Sequence, residues 1–370
     1  MRKNVIFITP CFGYGGLEQV VLNIIETIDR SKFNISFCTL IEPHSEMIKR
    51  IQNQNISWYT LKKRDGVDLT IPLKLAYIIK KEKVDLINSH DVGSTLYAAI
   101  AAMMGKNRKI IHTDHSQILT KKKYFKIIRY ILKNSVSFTI TVSNDLKDYF
   151  INKVGIEHHK IETIPNGIDT DKFKRSTMSQ KIKNELNLRN KDYIIGSVGR
   201  LTEQKGYEYL LKAIHIVLKD KENIRLIIAG DGELKSNLEK LANELKIRDK
   251  VVFAGNRQDI PDLLKIFDVF VLSSLWEGQP MSIIEAMAAE KPIIVTNVGG
   301  NKEILGHGEY GVLVEPRNSE ALAHAIRKLF EDKVLAMKIA KQAASIVDLR
   351  LSRNIMTARY EQIFSYVINQ

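Results

Sequence analysis

Cysteine is scarce in this 370-residue sequence, which contains Cys11 and Cys38 alone, far apart and each inside an apolar stretch. Two isolated cysteines form neither the disulfide framework of a small secreted domain nor a zinc-binding pattern. We therefore expect no disulfide, no zinc site and a reducing compartment.

Long hydrophobic runs are missing as well, since no stretch reaches the roughly 18 apolar residues that a membrane-spanning helix needs. The apolar run from Val5 to Phe12 follows Arg2 and Lys3, but it is short, lacks a small-residue cleavage site and leads into glycines. These features favour a buried first strand over a signal peptide. We expect a cytoplasmic protein.

Acidic residues are outnumbered, with 42 Asp and Glu against 56 Lys and Arg and a formal net charge of +14. Residues 1–170 hold 25 basic and 16 acidic side chains, and residues 115–144 hold no Asp or Glu. Such an excess is typical of proteins that bind nucleic acid, an anionic membrane or an anionic substrate, and equally of a Lys-rich solvated surface. Since 44% of the residues are hydrophobic, the chain is globular and long enough for two domains.

Short β-branched runs, by contrast, are abundant and alternate with helical stretches, which is the pattern of βαβ units around parallel sheets. The alternation runs through the first half and restarts near residue 190. It predicts an α/β protein of two doubly wound domains with a cleft between them, and ligands at the carboxyl ends of the strands. The predicted strands are Val5–Thr9, Ile35–Leu40, Val84–Asn88, Lys109–His112, Phe138–Val142, Tyr193–Val198, Arg225–Ala229, Val251–Ala254, Val269–Leu272, Ile293–Thr296 and Val312–Val314.

The domain boundary is predicted in the segment 164–169, where a proline and an Asn-Gly pair interrupt the chain. We expect an N-terminal domain at 1–168 and a C-terminal domain at 169–352, followed at 353–370 by a helix that packs back on the N-terminal domain. At the boundary, the Asp-Thr-Asp at 169–171 matches the Asp-x-Asp that holds a divalent metal on a nucleotide sugar. Because it follows a linker and not a strand, we interpret it as a turn or helix cap.

Two groups of residues stand at strand ends where anions bind. Gly15 and Gly16 lie between the first strand and a helix, where free backbone N–H groups favour an anion, although a turn without a ligand is about as common. Arg200 and Lys205 follow the strand 193–198, and their two cations suit a diphosphate. Isolated cations are more often solvated, but this position at the edge of a sheet favours function.

The most specific pattern is Glu277 and Glu285, which follow a strand, a Gly-Gln-Pro loop and the start of a helix near Met281. It offers a carboxylate for hydroxyl groups, helix N–H groups for phosphate and a second carboxylate one turn deeper. Two glutamates at this spacing are common by chance, so the context is what makes them informative.

Histidines and acids gather at two further strand ends, and the sheet would bring them to one edge. Their chemistry suits metal ligands, but without a helical His-x-x-x-His or a cysteine we favour contact with substrate or a role in shaping the loops. The residues are His90, Asp91, His112, Asp114 and His115.

Together the glycine turn, the segment 164–169, Gly199-Arg200-Leu201 with Lys205-Gly206, Asp231-Gly232 and the segment 277–289 closely resemble family 4 of the retaining nucleotide-sugar glycosyltransferases, over essentially the whole chain. The resemblance implies the GT-B fold, in which two Rossmann-like domains face each other across a cleft and the C-terminal one holds a nucleotide-diphosphate sugar. It also implies retention of configuration by same-face attack, and no divalent metal or other cofactor.

The resemblance also implies roles for individual residues. Arg200 and Lys205 look like the clamp on the donor diphosphate, Glu277 like the carboxylate against the donor sugar and Glu285 like the ligand of the ribose diol. The remaining implied positions are Gly15 and Gly16 over the diphosphate, His115 as an active-site histidine, the amides of Pro280, Met281 and Ser282 for sugar and phosphate, and the backbone around Asn256 and Arg257 for the base. Gln279 and Glu290 depart from the family pattern, which leaves the class intact and the donor sugar open.

The basic stretch near residue 121 has two interpretations. Its residues Tyr124, Ile127, Ile128 and Ile131 share one helix face, which suits docking on anionic lipid at the inner face of the membrane and equally packing on the sheet. The residues expected on the acceptor or membrane side are Lys121, Lys122, Lys123, Lys126 and Arg129, with His90 and Asp91.

The function predicted from the sequence is a hexosyl transfer from a nucleotide-diphosphate sugar to a glycan or lipid-linked acceptor, in cell-envelope polysaccharide or glycolipid synthesis. A nucleotide-sugar epimerase of the same architecture is the alternative. A nucleic-acid-binding protein would explain the charge, but no such motif is recognisable and the two glutamates would be unexplained. We expect no nucleic-acid partner.

Overall fold

A computed structural model describes residues 2–13, 15–105, 109–116, 122–174 and 179–370, without the side chains of 45–47, 122, 123 and 179. The chain divides into two compact units. The first unit joins Met1–Gly167 to Arg353–Gln370, and the second is Ile168–Ser352. Each unit has its own parallel sheet.

Strands and helices alternate along the first unit. Its elements are β1 Lys3–Thr9, α1 Gly16–Thr27, β2 Phe33–Thr39, α2 Ser45–Gln52, β3 Ser57–Thr60, α3 Ile71–Lys81, β4 Leu86–His90, α4 Val92–Met103, β5 Ile110–Asp114, α5 Lys122–Ser135, β6 Phe138–Thr141, α6 Asn144–Tyr149, a π-helix Phe150–Val154, a 3-10 helix His158–Lys160 and β7 Ile161–Thr163.

The second unit repeats the alternation, and the last helix of the chain returns to the first unit. The elements are α7 Thr170–Lys174, α8 Ser179–Glu185, β8 Tyr193–Val198, α9 Tyr207–Val217, β9 Ile224–Ala229, α10 Lys235–Glu244, β10 Val251–Gly255, α11 Ile260–Ile266, β11 Val269–Leu272, α12 Met281–Ala288, β12 Ile293–Thr296, α13 Asn301–Ile304, β13 Val312–Val314, α14 Ser319–Glu331, α15 Lys333–Arg350 and α16 Arg353–Asn369, with 3-10 helices at Glu203–Lys205, Arg248–Lys250 and Gly306–Gly308.

In each sheet, the order in which the strands are added reverses at one point. The first has the strand order β3-β2-β1-β4-β5-β6-β7 and the second β10-β9-β8-β11-β12-β13, with parallel pairing throughout the pairs described. In each, the chain starts in the middle, builds one half, and then crosses to build the other. The point between β1 and β4, or between β8 and β11, is where the strand order reverses, and doubly wound sheets bind ligands at the carboxyl ends of the strands there.

Hydrophobic strands fill the middle of each unit. Ile195, Leu226 and Val271 on neighbouring strands of the second sheet are fully buried. Helices cover both faces of such a sheet, so its strands are apolar on both sides instead of alternating. This explains why runs such as Val269–Leu272 are recognisable in the sequence.

Helix α16 completes the core of the first unit. Its Phe364 makes edge contacts with the rings of Phe7 and Phe33, at centroid distances of 5.9 Å each. The Thr357 and Thr27 hydroxyl oxygens are 2.6 Å apart. Residues 353–369 are thus an integral layer of a unit whose other elements precede residue 168.

The apolar face predicted for α5 is divided between core and surface. Ile128 and Leu132 are buried in the core of the first unit, whereas Tyr124, Ile127 and Tyr130 are exposed. The prediction that Ile128 shares one face with Tyr124 and Ile127 is therefore wrong in detail. Ile128 and Leu132 face the core of the unit, whereas Tyr124 and Ile127 face outward. Helix α5 therefore packs one side against the core and leaves apolar side chains exposed on another.

Candidate functional site

Two loops of the second unit meet where its strand order reverses, between β8 and β11. The loop after β8 runs through Arg200 to Gly206, and the loop after β11 runs from Ser273 to Pro280. Gly206 has φ +57°, and a Cβ atom there would lie 2.3 Å from the carbonyl oxygen of Ser273. Only glycine allows both this backbone conformation and this approach, so the two loops are in direct backbone contact.

An ion pair joins these loops. The Lys205 ammonium lies 2.5 Å from the Glu277 carboxylate, and their side chains are 13% and 6% exposed. The same carboxylate accepts hydrogen bonds from the Ser274 hydroxyl at 2.7 Å and from the Gln204 amide at 3.2 Å. Three donors therefore hold Glu277 in one orientation. The sequence indicated Lys205 and Glu277 separately, and the structure brings them together.

A third loop supports Glu277 from behind. Gly299, after β12, has φ +49°, and a Cβ atom there would lie 1.9 Å from the carbonyl oxygen of Glu277. The Gly300 N–H donates to the carbonyl of Gly278 at 3.0 Å. The sequence analysis did not identify these glycines, or Gln204 and Ser274, because their roles depend on contacts between loops far apart in the chain.

Arg200 differs from Lys205 in its surroundings. It is exposed on the loop after β8, and within the part of the chain that the structure describes it makes no ion pair or hydrogen bond through its side chain. Its guanidinium is therefore available to a ligand, whereas the Lys205 ammonium already neutralises Glu277.

Helix α12 begins at the same loop, as predicted, and carries Glu285. Pro280 is its N-cap residue and has no N–H, so the expected amide contact cannot come from it. The N–H groups of Met281 and Ser282 belong to the first turn, where N–H groups have no acceptor within the helix. These two amides are the available donors.

Glu285 is partly buried one turn further along α12. No described residue hydrogen-bonds or pairs with its carboxylate, and burial raises its pKa to about 7. A buried acid without a partner is costly in its ionised form. Hydroxyl donors from a ligand would relieve this cost.

Arg257 is engaged within the protein. Its guanidinium lies 2.5 Å from the Asp259 carboxylate and 2.6 Å from that of Glu185, and these partners raise its pKa above the ordinary arginine value. Because the Arg257 side chain is engaged, the segment around Asn256 and Arg257 offers a ligand its backbone. Gly255, which ends β10 just before Asn256, has φ +67°.

In the first unit, the glycine turn after β1 leads into α1, with Gly15 as its N-cap. The helix supplies its own negative group, because the Glu18 side chain is buried in the first turn and accepts from the Cys11 thiol at 3.0 Å. Gly16 is the first residue of the helix. Tyr14 lies outside the described residues.

His90, the last residue of β4, and His115, the first residue after β5, do come together. The His90 and His115 rings stack with centroids 5.3 Å apart, and His90 Nδ1 lies 3.0 Å from His115 Nε2. Asp91 has φ +79°, and its carboxylate accepts from the Gly93 N–H at the start of α4. Such a backbone conformation is costly for a residue with a side chain and is typical of functional loops.

Of the basic stretch, Lys126 and Arg129 are exposed on α5 and have no acidic partner among the described residues. Lys121 and the side chains of Lys122 and Lys123 lie outside the described residues.

Among the described residues, no group of three or more His, Cys, Asp or Glu side chains is arranged to hold a metal ion. None of the helices of the described part is both long and apolar enough to cross a membrane.

Comparison with known families matches both units. Residues 14–172 match the model described as Glycosyltransferase Family 4, and residues 178–345 match the model described as Glycosyl transferases group 1. Together these matches span most of the chain.

Among characterised relatives, the chain is 31% identical over 278 residues to the Escherichia coli UDP-Gal:alpha-D-GlcNAc-diphosphoundecaprenol alpha-1,3-galactosyltransferase, covering 72% of each chain. It is 27% identical over 314 residues to the Staphylococcus aureus capsular polysaccharide biosynthesis glycosyltransferase CapM, covering 82% of each. Among solved structures, Anabaena Alr3699/HepE in complex with UDP and glucose superposes with a TM-score of 0.86 at 21% identity, over 99% of this chain and 100% of that one. The GT-B fold predicted from the sequence is confirmed.

Replacing Lys205 by Met should destabilise the protein by about 3 kcal/mol, because the buried Glu277 carboxylate then loses its cation. Arg200→Met is the matched control, since its side chain is exposed and has no partner in the part of the chain that the structure describes, and it should change stability by less than about 0.5 kcal/mol. Urea unfolding followed by the fluorescence of Trp276, in the adjoining loop, measures both. Equal effects of the two variants would contradict the ion pair's structural role.

Proposed function

The chain belongs to the group 1 and family 4 glycosyltransferases, and on that basis we propose that it transfers a hexosyl group from a nucleoside diphosphate sugar to a glycan or lipid-linked acceptor. The observation that carries this proposal is the Lys205–Glu277 ion pair at the carboxyl edge of the second sheet, with Arg200 and Glu285, whose side chains have no partner among the described residues. Cations for a diphosphate and carboxylates for hydroxyl groups thus share one edge.

The leaving diphosphate is the centre of the proposed chemistry. Negative charge grows on its bridging oxygen as the bond to the sugar breaks, and fixed cations stabilise that charge more in the transition state than in the ground state. Arg200 supplies a planar fork and Lys205 a point charge. We propose that these two side chains do this without a divalent metal.

Glu277 acts, in this proposal, by position and charge. Its carboxylate is engaged by the Lys205 ammonium, the Ser274 hydroxyl and the Gln204 amide, which leaves it poorly suited to form a covalent bond to the sugar. The acceptor hydroxyl would attack from the face that the phosphate leaves, and the departing phosphate oxygen would take its proton. The configuration at the anomeric carbon is then retained.

The acceptor is proposed from relatives. The names of two relatives specify a diphosphoundecaprenol-linked substrate and capsular polysaccharide biosynthesis. Both are consistent with a glycan or lipid-linked acceptor in cell-envelope synthesis. We propose in addition that the protein works on the cytoplasmic side, at the inner face of the membrane.

Docking on an anionic membrane is proposed through the α5 strip, which we define as Tyr124, Ile127 and Tyr130 with Lys126 and Arg129. All five side chains are exposed on one helix. Helix α4 packs against α5, and Met103 at its end and Met104 just after it are also exposed. Apolar side chains on one helix with cations that have no acidic partner among the described residues match the interface of an anionic bilayer.

Donor binding is tested by thermal unfolding with a panel of UDP-, GDP- and ADP-sugars, of which one at a hundred times its Kd should stabilise the protein by about 2.7 kcal/mol. Transfer to an acceptor, in place of isomerisation of the donor, then separates a transferase from an epimerase. A panel in which no nucleotide sugar raises Tm would show that the proposed donor class is wrong.

The affinity for the matching nucleotide sugar, whose diphosphate is esterified at both ends and does not titrate near neutral pH, should rise with pH through about 7 and level off above it. The reason is that burial raises the pKa of Glu285 to about 7, whereas ribose hydroxyls donate to its ionised form, so that nucleotide binding releases a proton. Titration calorimetry in buffers of different ionisation enthalpy measures that proton. Glu285→Gln should abolish the pH dependence, and Glu290→Gln, an exposed residue after the same helix, should leave it unchanged.

Glu277→Gln should lower kcat by about 100-fold and the product should keep the donor's anomeric configuration, as read by NMR. Intact-mass spectrometry of the wild-type enzyme during turnover should find no sugar attached to the protein. A trapped glycosyl adduct on Glu277, or an inverted product, would overturn the proposed mechanism.

Membrane docking is tested by co-sedimentation with vesicles that contain anionic lipid. Replacing Lys126 and Arg129 by Gln should weaken binding by about 30-fold at low salt, because each basic residue near the surface contributes about 1 kcal/mol. The matched control is Lys338→Gln with Lys341→Gln, which removes the same charge from exposed positions on α15. Equal binding by both variants would exclude docking through the α5 strip.

A further inference from the structure

We propose that Asn88 and His90 are positioning residues that hold the neutral His115 ring in its Nε2–H tautomer, so that His115 Nδ1 accepts a hydrogen bond from a hydroxyl group of the bound substrate. The proposal rests on the proposed sugar transfer for its substrate, but not for its geometry. The three residues form one chain of hydrogen bonds across the carboxyl edge of the first sheet.

The chain begins at a buried amide. Asn88, in β4, is fully buried, and its side-chain oxygen lies 2.6 Å from His90 Nε2. Its amide nitrogen donates to the Thr113 hydroxyl on β5 at 3.2 Å. The neighbouring strand therefore holds the amide in place, with the oxygen directed at His90.

The direction of the hydrogen bonds follows from this amide. A carbonyl oxygen only accepts, so His90 must carry its proton on Nε2. A neutral His90 then has its lone pair on Nδ1, which lies 3.0 Å from His115 Nε2. His115 must donate there, and its remaining ring nitrogen, Nδ1, is left as an acceptor. The reverse orientation of the Asn88 amide would invert both tautomers, which makes the proposal testable atom by atom.

Both rings are held neutral. Burial, together with the nearby His115 and His112 rings, lowers the pKa of His90 well below its ordinary value. Burial lowers the pKa of His115 to about 4, even though Asp114 opposes the shift. His115 is then an acceptor of hydrogen bonds at neutral pH and not a cation.

The nearby His112 provides an internal contrast. Its Nδ1 lies 2.7 Å from the Thr95 hydroxyl and its Nε2 lies 3.1 Å from the Asp114 carboxylate. Both nitrogens are therefore used within the protein. His115 is partly exposed, and none of the described residues hydrogen-bonds its Nδ1. Of the histidines at this edge, His115 is the one with an acceptor left for a ligand.

The direct test measures the tautomers in the wild-type protein. In the full-length protein labelled with ¹⁵N-histidine, long-range proton–nitrogen spectra at pH 7 should show His90 and His115 as neutral Nε2–H tautomers, and His115 should not titrate between pH 8 and about 5. His115→Asn assigns its signals. A His115 ring with its proton on Nδ1, or one that titrates near 6.5, would overturn the proposal whatever the protein's activity.

Kinetics then test the role. His90→Leu removes the acceptor for His115 and should lower kcat/KM for the acceptor substrate about tenfold, the effect of one lost hydrogen bond, while the Kd of the nucleotide is unchanged. His90→Asn keeps a carbonyl oxygen near the position of Nδ1 and should restore kcat/KM to within about threefold. Equal losses in both variants would show that His90 only packs. If the tautomers are as proposed but the protein transfers no sugar, the proposed function is wrong and the hydrogen-bond chain still stands.

Discussion

The Lys205–Glu277 ion pair is the interaction on which the candidate site depends. It joins two loops that leave neighbouring parallel strands, and it acts together with their backbone contact and with the hydrogen bonds of the Gln204 amide and the Ser273 hydroxyl. The cost of removing a cation and an anion from water is offset by the additional donors on the carboxylate, Ser274 and Gln204. Because Glu277 offsets the charge of Lys205, Arg200 carries the unneutralised charge of the two cations proposed to bind the diphosphate.

Much of the second unit could be predicted from the sequence. Its buried strands are apolar on both faces, so that Tyr193–Val198, Val269–Leu272 and Ile293–Thr296 have the predicted bounds. Strands β3 and β7 were missed, because Ser57–Thr60 and Ile161–Thr163 are short edge strands with polar residues and little burial. Short, half-exposed strands are defined by pairing with a neighbour and leave almost no periodic signal.

The candidate site was predictable as a set of residues but not as an arrangement. Lys205 and Glu277 each stand out by position after a strand, yet their pairing depends on the topology that brings β8 beside β11. His90 and His115 lie 25 residues apart in sequence; their meeting at one edge of the sheet was predicted, but their direct hydrogen bond was not. Residues that only support others, such as Gln204 and Asn88, carry no local signature at all.

Helix α16 has a consequence for the order in which the protein is made. The chain passes from the first unit to the second between Gly167 and Ile168 and returns between Ser352 and Arg353, and these crossings lie side by side because Ile168 pairs with Ser352. During synthesis, the second unit is therefore complete before the first can bury Phe7 and Phe33 against Phe364. The first unit to leave the ribosome is the last to close, and until then the apolar surface that α16 covers must be kept from aggregation.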